Sequence, residues 1–144
     1  MRIGVIGVGI VGASTGWHLA KRGVDVVMVD AGRSGEGVTN WTFSWVNASN
    51  KTQTREYFDL NVAGMAAHAD LAGVLGSGDW WHPSGHVRWY HVGAERLRAH
   101  VDLLRSWGYE ATVWEAGRVR RLLEPEVEFP SDETPVAVFR NEGW

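Results

Sequence analysis

The stretch from Arg2 to Asp30, RIGVIGVGIVGASTGWHLAKRGVDVVMVD, leaves the chain little choice of fold. Arg2 to Ile6 is a short, nearly continuous apolar run, the pattern of a parallel strand buried on both faces. It runs directly into Gly7, Gly9 and Gly12 at the spacing G-x-G-x-x-G. Gly7 permits the sharp turn out of the strand, Gly9 lets a pyrophosphate approach backbone with no Cβ in the way, and Gly12 lets the following helix lie close to the sheet. The residues of this turn, Gly7, Val8, Gly9, Ile10, Val11 and Gly12, are candidate cofactor contacts. Diphosphate would meet unpaired N–H groups and the positive end of the helix dipole, with no basic side chain required.

The spacing predicts a helix from about Ile10 to Arg22. Lys21 and Arg22 suit the negative end of its dipole, and Gly23 is placed to end it in a left-handed conformation. Val24 to Val29 is a second β-branched run that stops at Asp30. A carboxylate at that strand's carboxyl end, about 20 residues beyond the glycines, can accept hydrogen bonds from a ribose diol and repels a 2′-phosphate. Strand, capped helix, strand and acid together predict an α/β fold that opens with a Rossmann-type βαβ unit for FAD or NAD(P), with NADP disfavoured. Arg2 ahead of an apolar run is also how a signal peptide begins, but the glycines and the lack of a small-residue cleavage pattern argue against one.

Composition narrows the rest. An apolar content of 44% is that of a globular protein, and a net charge of −3 without a basic block makes nucleic acid and anionic membranes poor partners. No apolar run is long enough to span a bilayer, so a soluble chain is expected. Cysteine is absent, which removes disulfides and thiolate chemistry and is compatible with the cytoplasm. Nine tryptophans in 144 residues need a large core, a pocket or a partner surface to cover them, a first hint of further protein.

Ala31 to Asn50 is a glycine-bearing loop at the carboxyl edge of the sheet, where ligands lie in open α/β folds. Within it, G-E-G-V-T-N-W-T-F-S-W-V-N-A resembles the G-x-G-T-S-x-x-S-F-A-W-I-N-A type of segment in FAD-dependent oxidoreductases of the D-amino acid oxidase, glycine oxidase and sarcosine oxidase superfamily. L-R-S-W-G-Y-E-A, L-L-E-P-E and the terminal E-G-W resemble the same enzymes. The resemblance implies that the loop runs under the ribityl and flavin part of FAD. Asp30, with the adjoining Ala31, would then hold the adenosine ribose, Arg33 would lie toward the adenine or pyrophosphate, and Thr39 and Asn40 would lie near the cofactor. Asp30 stands where the family usually has Glu, and Asn40 where a small residue is frequent. Phe43, Trp45 and Val46 are expected to pack in a core.

Beyond Asn50, Thr52 to Leu75 reads as an amphipathic helix on Phe58, Val62, Met65, Ala69 and Ala72. His86 to Val92 and Tyr109 to Trp114 read as strands, Ala94 to Trp107 and Ala116 to Leu123 as helices, and Pro135 to Phe139 as a last strand. His82, His86 and His91 are not expected to bind a metal. Pro83 and Gly85 forbid the helix that would align the first two, and His86 and His91 point to opposite faces of one strand. His82, His86, Arg88 and Tyr90 are candidates for substrate contact only because, in the resembling family, this strand begins the substrate domain. No residue acquires a catalytic role.

The resulting division is 1–78 as the N-terminal part of an FAD-binding Rossmann-like domain and 79–144 as the beginning of an α+β substrate domain. No further strand-helix unit follows to complete the parallel sheet. The chain is therefore expected to be the N-terminal portion of a longer flavoenzyme, marginal in stability and weak in binding FAD by itself, its partners being a small-molecule substrate and the missing C-terminal half. The expected reaction is hydride transfer from a small amine, amino acid or related substrate to the flavin. Two alternatives stand beside it: an NAD-dependent dehydrogenase, which the fingerprint fits equally well, and a truncated nucleotide-binding fragment without turnover.

Overall fold

The computed structural model describes residues 1–76, 78 and 80–144, and the chain divides into two compact units, Met1–Ser44 and Trp45–Trp144. The first holds strand β1 (Arg2–Ile6), helix α1 (Ile10–Lys21), strand β2 (Asp25–Val29) and the short helix α2 (Val38–Trp41). β1 and β2 pair in parallel, with Ile3 opposite Val26 and Val5 opposite Met28. α1 ends where the sequence predicts, with Gly23 at φ +78° just past Arg22. Gly16 is buried, and a Cβ on it would stand 2.6 Å from Met28 Sδ, so a smooth helix face is what allows close packing on β2.

Burial on both faces does not hold for these strands. Ile3, Val5, Val26 and Met28 lie half-buried under α1, whereas Ile6, Val27 and Val29 are exposed, Ile6 at 90%. One helix covers one face of a two-stranded sheet, and strand residues alternate between faces, so every second apolar side chain has no protein to cover it.

The second unit contains helix α3 (Arg55–Leu75), strand β3 (His86–Arg88), helix α4 (Ala94–Ser106), strand β4 (Thr112–Glu115), helix α5 (Ala116–Leu122) and strand β5 (Pro135–Phe139). The strands form an antiparallel sheet in the order β3-β5-β4. One core gathers Phe58 and Met65 of α3, Leu97, Val101 and Leu104 of α4, and Ala137 and Phe139 of β5. Val136 and Val138, one residue out of phase, pack instead with Ala116 and Val119 of α5. The α/β class with an α+β second part is the one expected.

Several boundaries differ from the sequence reading. α3 starts at Arg55 because Thr54 caps it, its hydroxyl accepting from the Tyr57 amide at 3.2 Å. β3 stops at Arg88 rather than Val92: continuing the register would set Tyr90 against Pro135, which has no N–H for the ladder. β4 starts at Thr112 because Tyr109 is drawn into the core against Phe58. Phe43 is 85% exposed and does not pack in a core, unlike Val46, which does. The compact units part after Ser44, and α3 packs with α4 through Phe58 and Met65. Asp79, the head of the sequence-defined second domain, lies outside the described residues. Among the described residues no helix is long and apolar enough to cross a membrane, and no cluster of acids and histidines could hold a metal ion.

Candidate functional site

The glycine turn between β1 and α1 sets the site. Gly7 has φ +97°, a region side chains avoid, and its amide donates to Val29 O at 2.8 Å, tying the turn to β2. A Cβ on Gly12 would fall on the Gly7 carbonyl, and one on Gly9 would come within 2.9 Å of Thr39 Oγ1. Gly12 therefore requires glycine for reasons of space, whereas a side chain at Gly9 would push the Thr39 hydroxyl out of its place.

α1 has no side-chain cap from Gly9. Thr39, from the loop after β2, takes that place: its hydroxyl accepts from the Ile10 amide at 3.0 Å. The loop also folds back on the turn through Gly35 N to Val8 O (3.0 Å) and Ser34 Oγ to Val8 O (3.2 Å). Val11 is 77% exposed in the first turn, where helix geometry leaves the amides without intrahelical acceptors.

Asp30 stands at the same edge of the sheet as this turn. Its Oδ2 accepts from Val8 N at 2.6 Å and its Oδ1 from Gly32 N at 2.9 Å. The Gly32 and Val8 amides hold its carboxyl below the ordinary range against a weaker opposing effect of burial. The residue is exposed and a carboxylate oxygen can accept more than one hydrogen bond, which suits a ribose diol. Ala31 and Arg33 are exposed beside it, the Arg33 amide donating to Glu36 Oε2 at 2.9 Å. Asn40 is exposed on α2 with its amide on Gly37 O at 3.0 Å. The turn, Asp30 and Thr39 thus share one edge. A backbone bare of side chains, the exposed first turn of a helix and an ionised acid fit the diphosphate and ribose of a dinucleotide.

Asp30→Ala is expected to weaken FAD binding and to free Gly32. Asp30→Asn keeps one acceptor oxygen and turns an NH2 toward the other backbone donor, so it is expected to weaken binding and to lose one of the two bonds to Val8 and Gly32. Because the folded-state pKa is lowered, the carboxylate's hold persists above the ordinary carboxylate range and is lost as pH falls through that lowered value. Titration of flavin fluorescence from pH 7 downward measures both effects; equal affinity in the Ala variant counts against the role.

A second polar centre lies in the other unit and escaped the sequence reading. Glu142 is fully buried. Its Oε1 accepts from Ser49 N (2.7 Å), Tyr109 Oη (2.9 Å) and Ala48 N (3.2 Å). Its Oε2 faces His86 Nδ1 at 3.2 Å without the alignment of a hydrogen bond. Burial pushes the Glu142 pKa up, but His86, Ser49 and Tyr109 outweigh it and hold it below the usual carboxylate value. Burial first, and then the Glu142 charge, raise the Tyr109 phenol so that it stays a donor. Nearby, His100 Nε2–H donates to Ser49 O at 2.8 Å, and burial followed by the Arg88 guanidinium lowers its pKa. The candidates His86, Arg88 and Tyr90 are half-buried here, and His82 stacks on Trp144 at 4.2 Å.

Comparison with known proteins supplies the class. The family model for FAD-dependent oxidoreductases matches residues 2–144. The D-proline dehydrogenase of Pyrobaculum islandicum is 27% identical over 154 residues, covering 94% of this chain and 36% of that protein. In shape, the glycine oxidase of Geobacillus kaustophilus superposes with TM-score 0.82 at 20% identity, over 99% of this chain and 40% of the other. That of Bacillus cereus superposes with TM-score 0.83, also at 20% identity, over 99% and 39%. At such identity the superpositions speak for the fold. The chain spans well under half the length of these relatives, and it belongs to the family of FAD-dependent oxidoreductases.

Proposed function

We propose that this chain is the dinucleotide-holding part of an FAD-dependent oxidoreductase that oxidises a small amine or amino acid. The observation that carries the reading is the shared edge of the sheet: Asp30 bonded to Val8, Thr39 bonded to Ile10, and Gly9 bare between them. The turn from Gly7 to Gly12 lies against the diphosphate, with the amides of the first helical turn beyond Ile10 as its donors, Asp30 and Ala31 receive the ribose, Arg33 lies toward the adenine or pyrophosphate, and Thr39 and Asn40 face the cofactor from the loop. FAD, when bound, supplies the electron acceptor for oxidation of the carbon that bears the amine. The chain's own residues hold and orient the cofactor and keep the glycine turn closed. The substrate class is supported by the names of the relatives, which act on D-proline and on glycine.

In the same reading, residues 79–144 begin the substrate domain, and the exposed outer face of the β1–β2 sheet, with Ile6, Val27 and Val29, receives the remainder of the same enzyme. A cytoplasmic location goes with this proposal. The alternative of NAD is separated by spectroscopy. Purified chain titrated with FAD is expected to quench flavin fluorescence, with the weak affinity of an isolated portion, and to leave NADH emission unchanged. Binding of NADH without FAD would overturn the proposal.

A further inference from the structure

We propose that Arg88 and Arg96, gathered on the Tyr90 ring in the second unit, form a binding site for a small oxyanion. The site is separate from the nucleotide edge and does not depend on the flavin reading. Arg88 ends strand β3, and Arg96 and His100 stand four residues apart on one face of α4. The Arg88 guanidinium carbon lies 5.4 Å from the centre of the Tyr90 ring, and that of Arg96 lies 5.5 Å from the same centre. Two cations thus share one aromatic ring. Among the described residues, no carboxylate pairs with either of them.

Arg88 is also denied a neutral acceptor. His100 Nε2 lies 2.8 Å from Ser49 O, and a carbonyl can only accept, so that nitrogen carries the proton. Arg88 Nη1 stands 3.4 Å from the same nitrogen, and a guanidinium has no lone pair to give, so donor meets donor. The carboxylate whose field reaches His100 is that of Glu142, and its Oε1 is already taken by Ala48, Ser49 and Tyr109. Arg96 stands in the first turn of α4, where the helix dipole opposes a cation and Gly93 supplies no side-chain cap. Negative charge relieves each of these conditions. The half-buried Arg88 offers an oxyanion two parallel N–H groups in a planar fork, and the exposed Arg96 is a long arm that can bring a second fork to it. The Tyr90 ring holds both cations nearby without adding a competing charge.

The test is a titration of this chain with acetate or with inorganic phosphate, each replacing chloride at constant ionic strength and pH, read by the Nε–H resonances of Arg88 and Arg96. Both resonances are expected to move along a saturating curve with a Kd on the order of a millimolar. Saturation by acetate alone identifies a carboxylate ligand and by phosphate alone a phosphate-bearing one; either result supports the site. Arg88→Gln is expected to raise the Kd about tenfold or more, and Arg88→Lys, which keeps the charge without the fork, by a smaller factor. Arg96→Gln, at an exposed position, is expected to raise it about threefold or more. Arg98→Gln, on the opposite face of α4, should leave it unchanged. Far-ultraviolet spectra matching that of the unaltered chain show that the variants are folded. Shifts that never saturate, or an equal Kd in folded Arg88→Gln and Arg96→Gln, would overturn the proposal and leave the flavin reading untouched.

Discussion

Gly12→Ala is expected to detach α1 from the sheet and to lower FAD affinity by about two orders of magnitude or more. The added methyl would lie on the Gly7 carbonyl oxygen, with the carbonyl carbon at 2.9 Å. Neither atom can swing aside as a side-chain end would. Gly7 is held by its bond to Val29 O and by a backbone conformation that only glycine adopts readily. Overpacking in a core typically costs about 1–3 kcal/mol, and a clash of backbone with backbone belongs at or above the upper end. The first unit has little stability with which to absorb it, since the only buried position in α1 is Gly16. Hydrogen exchange across residues 10–21 and an FAD titration measure the two effects. Gly64→Ala is the control: nothing lies within 4 Å of the new methyl in the middle of α3, so helix propensity predicts a slight gain of about 0.5–1 kcal/mol. Unchanged exchange and affinity in Gly12→Ala would disprove the close approach.

The second large effect is expected from Glu142→Ala. Removal of the side chain leaves the amides of Ala48 and Ser49 buried without this acceptor, the Tyr109 hydroxyl with only the weak Met65 Sδ at 3.6 Å, and no carboxylate facing His86 Nδ1. Breaking one side of a buried charged network typically costs about 3–5 kcal/mol. For a unit of about a hundred residues, that corresponds to a fall in melting temperature of more than about 10 °C. The direction with pH follows from the lowered pKa. The stabilisation from Glu142 is fully present above the ordinary carboxylate pKa and is lost as pH falls through the lower folded-state value. The unaltered chain should therefore lose thermal stability on acidification below about pH 4.5, and Glu142→Ala should lose less over the same interval. Calorimetry across that interval tests both statements. Parallel pH profiles for the two proteins would mean that the carboxylate is not ionised in the fold.

The contrast between Gly12 and Glu142 marks what could be read from the chain alone. The glycine turn, the helix from Ile10, its end before Gly23, the β2 run and Asp30 are local features. Each follows from sterics, dipoles or period within a few residues, and the α/β class follows from them. Gly76 and Gly108, just past the two long helices, likewise take positive φ in the structure. That Thr39 caps α1 and Asp30 holds the Val8 amide was not legible.

Glu142 could not have been found that way. In sequence it is one acid in a short E-G-W, indistinguishable from the exposed glutamates around it. Its environment is made by residues 48, 49, 86 and 109, which only the folded second unit brings to one oxygen pair. The early end of β3, the inward turn of Tyr109, the exposure of Phe43 and the break after Ser44 are of the same kind. Hydrophobic pattern and turn chemistry act over a few residues and settle which elements form. Charge burial, strand pairing and the edges of a core depend on partners far away along the chain, and those exist only once the elements have packed.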